Sequence, residues 1–298
     1  IGICLIFSYR KIINFITLRN FYSINYSKLI KYFKSINLNF YPVGTYEWGE
    51  WRKDLGEIFS KKLPLGFLHN NLISRTMVLG STEHQDIKLE QIENNIPKKM
   101  LKTMLKEDIL GIPIISNLKY LTSENCIHQV FHLAAYSELT NEHIYKCKKI
   151  IEWGGGYGCL AKIIKKVNPE CTYIILDLPE LSSLQYVYLS SIFGKDTVNF
   201  ISSEFKIENG KINLISSDYF MNLNDHINCD AFISNWALTE SGKDYQDFVV
   251  NKNFFNASNV LLGCKDDENN FLMKTSNYKF NHTESIEVLG DGNYYLIR

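Results

Sequence analysis

The sequence predicts an α/β fold: a mostly parallel sheet closed by an antiparallel terminal hairpin and preceded by a mainly helical amino-terminal half. Three observations carry this expectation. Ile151-Glu152-Trp153-Gly154-Gly155-Gly156-Tyr157-Gly158 ends an apolar run, packs four glycines into five positions and opens an amphipathic stretch, as a buried strand turning tightly into a helix does. From Ile150 onward, short apolar runs alternate with helical stretches, the pattern of βαβ units. At the end, Ser285–Leu289, Gly290-Asp291-Gly292 and Asn293–Ile297 read as a hairpin.

The elements follow in order. Residues 1–40 read as aromatic-rich helix. From about Tyr26 to Lys148 apolar residues recur at helical spacing, as in Ile92, Ile96, Met100, Leu101, Met104 and Leu105, with breaks at Pro42, Pro64, Pro97 and Pro113. Strands are expected at Lys149–Trp153, Thr172–Asp177, Ile212–Ser216, Cys229–Asn235 and Asn259–Gly263, a five-stranded parallel core. Thr197–Ile201 is a further short strand, expected to form a hairpin with the segment after Asn209-Gly210. The chain divides into a helical, substrate-capping region at 1–125 and a cofactor-binding catalytic domain at 126–298.

Composition narrows the function classes. The 298 residues are 45% hydrophobic, enough for a full core, and Lys+Arg 32 balances Asp+Glu 32, so no global field draws in nucleic acid or an anionic membrane. A small or neutral substrate is the more natural partner, and self-association stays open. Ile1 to Phe7 is apolar, but Arg10 and Lys11 interrupt it well before the roughly 18 residues a membrane span requires. The seven cysteines form no C-x-x-C pair and several sit in apolar strands, which favours buried thiols in a reducing, cytoplasmic setting.

Spacing in the glycine loop speaks to the ligand. A dinucleotide fingerprint G-x-G-x-x-G fails at Cys159, and a phosphate loop fails because Gly158-Cys159-Leu160 stands where Gly-Lys-Ser/Thr is needed. What remains is E-x-G-x-G-x-G through Glu152, Gly154, Gly156 and Gly158, the pattern of S-adenosylmethionine sites in Rossmann-like methyltransferases. Asp177 ends the next strand about 20 positions on, placed to accept hydrogen bonds from ribose hydroxyls. Gly155, Tyr157 and Leu178 complete the expected cofactor wall.

Two stretches carry a family resemblance. Glu152 to Ala161 (EWGGGYGCLA) followed by Tyr173 to Glu180 (YIILDLPE) resembles the sugar O-methyltransferases of bacterial surface-glycan clusters, and Phe67 to Asn71 and Glu107 to Pro113 are similar to that family's helical half. The resemblance covers most of the chain and implies a Rossmann-like, S-adenosylmethionine-dependent enzyme acting on a sugar hydroxyl, with a sheet whose last strand enters antiparallel. A looser likeness runs to small-molecule O-methyltransferases that act on phenols. Ser217-Asp218-Tyr219-Phe220 is similar to their acidic turn, which implies that Asp218 meets the adenine amine and that Tyr219 beside it is a cofactor contact, and Cys229 to Glu240 is similar to their fourth strand. There the chain departs: Trp236-Ala237-Leu238-Thr239-Glu240 stands where those enzymes carry Trp-x-Leu-His-Asp, and Thr239 cannot be a general base.

Glu240 is therefore one candidate base, at a strand's carboxyl end where open α/β sheets place ligand-facing residues; its bland reading is a charge interacting with the following helix dipole. Asn235 and Trp236 share that edge, Asn235 as a cofactor contact. His128 and His132, four apart on a helix, face one side and are candidates for base or substrate contact, against metal ligands or satisfied core histidines. Asp218 also suits a helix cap. Asp266-Asp267-Glu268 offers carboxylates to Mg²⁺, although a solvated acidic loop is the expected reading, and no metal is assigned. Other acceptors, and a binding protein that has lost catalysis, stay open as alternatives.

Overall fold

The computed structural model describes residues 14–35, 46–59, 62–79, 82–223, 226–265 and 278–298. Eight strands form one Rossmann-like sheet in the order β3-β4-β2-β1-β5-β6-β8-β7. They are β1 (Lys149–Trp153), β2 (Thr172–Asp177), β3 (Val198–Ile201), β4 (Ile212–Ser216), β5 (Ala231–Asn235), β6 (Asn259–Lys265), β7 (His282–Ser285) and β8 (Asn293–Ile297). The first six in chain order pair parallel, and β8 joins β6 and β7 antiparallel. β1 lies between β2 and β5, so the chain winds outward to one side and then the other. A crevice opens at the carboxyl end of such a switch point.

Successive strand residues point to opposite faces, and the core separates accordingly. Ile150, Tyr173, Ile175, Leu214 and Ile233 join one cluster with Phe67, Ile73, Ile92, Met104, Leu133 and Ile163 from the helices. Ile151, Ile174, Leu176, Ile215 and Phe232 join the other with Phe220 and Val249. Helices α1 (14–22), α2 (Tyr26–Ser35), α3 (Tyr46–Phe59), α4 (Asn71–Met77), α5 (Gln85–Asn95) and α6 (Lys98–Met104) precede α7 (Glu124–Thr140). Behind the strands follow α8 (Cys159–Val167), α9 (Pro179–Phe193), α10 (Ser217–Met221), α11 (Ala237–Glu240) and α12 (Lys243–Asn251). The amino-terminal helices lean on this frame, α3 on α9, α5 on α7 and α6 on α8. Ser123 starts α7 by accepting a hydrogen bond from the Cys126 N–H, a side-chain N-cap.

Two sequence expectations change. Val198–Ile201 pairs with β4 in parallel, not as a hairpin, which makes the parallel core six strands and not five. The side chain of Asn213 explains it: its Nδ2 donates to the carbonyls of Glu208 and Lys211 while its Oδ1 accepts from the Glu208 N–H and Asn199 Nδ2. That ties residues 202–211 into a crossover where Asn209-Gly210 suggested a simple reversal. In the terminal hairpin, β7 ends at Ser285 and Glu287–Leu289 is a 3₁₀ turn, so the pairing lies earlier than Ser285–Leu289. The Ile286 N–H donates to the Asn293 carbonyl at 2.8 Å, and Asn293 Nδ2 donates to the Leu289 and Gly290 carbonyls, which closes the turn beyond Ile286. Asp266-Asp267-Glu268 and the start of the chain before residue 14 lie outside the described residues. Among the described residues no helix is long and apolar enough to cross a membrane.

Candidate active site

The glycine loop lies where β1 gives way to α8, and its conformation needs glycine. Gly154, Gly156 and Gly158 have φ of +77°, +56° and +97°, the left-handed region that side chains disfavour. At Gly154 there is also no room: an added Cβ would fall 2.0 Å from the Cβ of Ala237, on α11 beyond β5. Its N–H donates to the Leu176 carbonyl at 2.9 Å, which locks the loop to β2. Glu152, Trp153 and Gly154 through Tyr157 line a cavity of about 500 Å³, within the usual range for small-molecule sites.

Asp177 stands across the loop at the end of β2. Its Oδ2 accepts from the Gly156 N–H at 3.1 Å and from Gln185 Nε2 at 2.7 Å, and its Oδ1 accepts from the Leu178 N–H at 2.7 Å. All three donors are neutral. Burial therefore dominates and pushes the Asp177 carboxyl up to about 7. Glu152 is likewise buried, accepts from the Tyr173 hydroxyl at 2.9 Å, and is pushed by burial up to about 8. Two buried carboxyl groups beside glycine N–H groups form a wall whose oxygens can accept from hydroxyl and ammonium donors, an ammonium favouring their ionised form.

The other end of the cavity is assembled from α7, α11 and the end of β5, with Tyr295 of β8 hydrogen-bonded to α7 behind them. Glu240 lines it at the mouth, in reach of solvent, and the surrounding protein raises its carboxyl above the ordinary range while Lys265 pulls it back down. Trp236 has φ +63° and ψ −35°, an unusual backbone for a bulky residue. It is held there by its N–H on the Gly263 carbonyl at 2.7 Å and its Nε1 on Asn293 Oδ1 at 2.9 Å. Thr239 donates its hydroxyl to the Trp236 carbonyl, which leaves Glu240 as the polar side chain of α11 that meets the cavity. Asn235 Nδ2 donates to Gln129 Oε1, and its own Oδ1 has no hydrogen-bond partner among the described residues.

His128 lines the cavity, stacked on Trp236, and His132 lies behind it, completely buried. Burial, with Lys88 nearby, holds His128 down to about 3 and His132 well below the usual histidine range. Both rings are therefore neutral near pH 7.

The predicted site residues thus divide. Glu152, Gly154 to Tyr157, Asp177, Leu178, Asn235, Glu240 and His128 share the cavity. Gly158 sits behind the loop as the residue before α8. Asp218 is not on the cavity wall: its Oδ1 accepts from the Tyr245 hydroxyl and its Oδ2 lies 3.6 Å from Arg52 Nη2. Tyr219 is drawn elsewhere, donating its hydroxyl to the Ser203 carbonyl at 2.8 Å; Ser217 and Tyr245 stand at the cavity instead. His132 is not on the cavity wall and lies behind His128 and Trp236, which are.

Other contributors carried no sequence signal. Trp51 and the Arg75–Leu79 segment close the cavity from the amino-terminal half. Arg52, buried on α3, donates its Nε to both carboxylate oxygens of Glu180 at 3.1 and 3.2 Å. Burial of Arg52 between Glu180 and Asp218 ties α3 to the starts of α9 and α10. Only the coincidence of an arginine in a helix with a Glu in the DLPE run hinted at it. Among the described residues no group of three or more His, Cys, Asp or Glu is placed to hold a metal ion.

Residues 116–216 match the model of the O-methyltransferase domain family, from the loop before α7 to the end of β4. No curated protein sequence matches the chain. Among solved structures it is similar to mitomycin 7-O-methyltransferase MmcR at 12% identity, over 58% of this chain and 57% of that one, with a TM-score of 0.37. PigF with S-adenosylhomocysteine aligns at 11% identity over 57% of each chain, TM-score 0.37. The O-methyltransferase family 2 protein of Planctomyces limnophilus, in complex with apigenin, aligns at 10% identity over 81% of this chain and 68% of that one, TM-score 0.36. The chain spans less than two thirds of the length of the first two.

Proposed function

We propose that this chain is an S-adenosylmethionine-dependent O-methyltransferase and that its acceptor is a hydroxyl, a sugar hydroxyl on a nucleotide sugar or glycan precursor being the finer reading. One observation carries it: the E-x-G-x-G-x-G loop and Asp177 meet on one cavity at the switch point of the sheet, inside the segment that matches the O-methyltransferase domain. The residues fit the cofactor. Asp177 has the carboxylate for ribose hydroxyls, Leu178 an apolar surface beside it, Glu152 and the unpartnered Asn235 Oδ1 acceptors for an ammonium, and the glycines a backbone that a Cβ would obstruct. When bound, S-adenosylmethionine supplies an electrophilic methyl group on a sulfonium.

The protein then has to orient the acceptor and take its proton. Glu240 is the group we assign to the proton: it lines the cavity, is reachable from solvent, and its carboxyl, raised by burial, is a better base than an ordinary carboxylate. The helical region before residue 126, through Trp51 and Arg75–Leu79, is proposed to cap the acceptor and exclude water.

Calorimetry with S-adenosylhomocysteine tests the cofactor half. Micromolar binding by the wild type and loss of more than about tenfold in Asp177→Ala are expected, because hydrogen bonds to a charged group contribute about 1.5–3 kcal/mol each. An unchanged dissociation constant in the folded variant would place the ligand elsewhere. Transfer of labelled methyl to sugar, phenol and carboxylate acceptors sorts the substrate; tight cofactor binding with no transfer to any of them would favour a protein that binds without turning over.

A further inference from the structure

Counting protons through the buried polar groups of the acceptor end gives His128 a definite chemical face. The Tyr295 hydroxyl, on β8, is hydrogen-bonded to His132 Nδ1, and His132 Nε2 lies 2.9 Å from His128 Nε2. The opposite ring nitrogen, His128 Nδ1, is buried and has no hydrogen-bond partner among the described residues, although the residue lines the cavity. Burial pushes the Tyr295 phenol well up, so it keeps its proton, and the acceptor the structure gives that proton is His132 Nδ1. A neutral imidazole accepting at Nδ1 carries its proton on Nε2. His132 then donates to His128 Nε2, and His128 in turn carries its proton on Nδ1. The reverse order would strand the phenol proton in a buried site, which costs its full desolvation.

We infer that Tyr295 and His132 are positioning residues that hold His128 as an Nδ1–H donor, and that this donor recognises an oxygen of the methyl acceptor. This rests on the methyltransferase reading and deepens it. The acceptor class follows from the two groups that share the cavity: one hydroxyl gives its proton to Glu240, and a neighbouring oxygen accepts from His128. Such an acceptor carries at least two oxygens, as a diol of a sugar ring does. Burial suppresses both His128 and His132 as bases, so a neutral N–H is what His128 offers at this wall. Trp236, stacked on His128 with ring centroids 5.6 Å apart and planes at 22°, keeps the donor in one orientation.

Long-range ¹H–¹⁵N correlation on the imidazoles of the wild-type protein reads the tautomers without any variant. The expected spectrum at pH 7 shows two neutral rings, His128 protonated at Nδ1 and His132 at Nε2. With S-adenosylhomocysteine saturating, cis-1,2-cyclohexanediol should move the His128 Nδ1 resonance and bind about tenfold tighter than cyclohexanol, the scale of one net hydrogen bond. Tyr295→Phe should mix the tautomers and shrink that preference while leaving the S-adenosylhomocysteine affinity within about twofold. A His128 proton on Nε2, a charged ring, equal binding of diol and alcohol, no response to the diol, or a preference unchanged in Tyr295→Phe would each overturn the inference. Tautomers as expected with no binding of S-adenosylhomocysteine would instead overturn the methyltransferase reading, and the acceptor assignment with it.

Discussion

The two ends of the cavity are built in opposite ways. The cofactor end comes from two short stretches, Glu152–Gly158 and Asp177–Leu178, on adjacent strands whose register sets Trp153 beside Leu176. The end proposed for the acceptor comes from α7, α11 and the end of β5, backed by His132, which is hydrogen-bonded to a residue 163 positions away. The first end is rigid because its backbone is locked, by Gly154 on the Leu176 carbonyl and Gly156 on Asp177. The second is held by a chain of buried side-chain hydrogen bonds from Tyr295 through His132 to His128. Backbone-built sites tolerate change at most side chains but not at glycines, whereas networks fail wherever one member is cut.

The largest expected effect separates chemistry from binding. Glu240→Gln preserves shape and should leave S-adenosylhomocysteine affinity unchanged while lowering turnover by on the order of 10² or more, the usual contribution of a general base. Steady-state kinetics beside calorimetry decide it, and a variant that turns over at the wild-type rate removes Glu240 from the mechanism. The pH–rate profile of the wild type should then show an acidic limb above the ordinary carboxylate range, in keeping with the raised Glu240 carboxyl.

Next in size is a contrast within the loop itself. Gly154→Ala drives a methyl onto Ala237 at a positive φ and should destabilise the protein by about 2–4 kcal/mol, overpacking and backbone strain together. At Gly156 an added Cβ would meet Met77 at 3.5 Å, an ordinary contact, so Gly156→Ala should carry the backbone term alone, about 1–2 kcal/mol. Denaturant unfolding of the two variants measures the gap. Equal losses would mean that the loop shifts to relieve Gly154, and that its lock on β2 is looser than the geometry states.

The smallest effect is in pH. Folding raises Asp177 to about 7 and Glu152 to about 8, whereas the unfolded chain releases those protons near about 4. Each group therefore contributes stability that is full below its unfolded value and is lost as pH rises through the folded one. Between pH 6.5 and 8 the melting temperature of the protein without cofactor should fall, and Asp177→Asn should flatten that slope. Below about 6.5 the neutral, buried His128 and His132 act in the opposite sense, since the unfolded chain then binds protons that the folded state refuses. A slope identical in wild type and variant would show that Asp177 is ionised well below neutrality in the folded protein.

The sequence by itself determined the α/β class, the order of the main strands, the glycine loop and the acid at the end of β2, because each depends on residues close together in the chain: β-branched runs, glycines where φ must be positive, a carboxylate ending a strand. It also placed Glu240 and the His128–His132 pair as candidates, since helical and strand spacing bring them to an edge. It did not reveal that residues 202–211 cross over to make β3 parallel, because Asn213 decides that through bonds to a loop. Nor could it distinguish His128 on the wall from His132 behind it, or show that Tyr245 and Arg52 occupy Asp218 while Tyr219 turns to Ser203. Those outcomes belong to the tertiary structure, since a buried polar group takes whatever partner packing brings within 3 Å or so, and chain separation does not limit which partner that is.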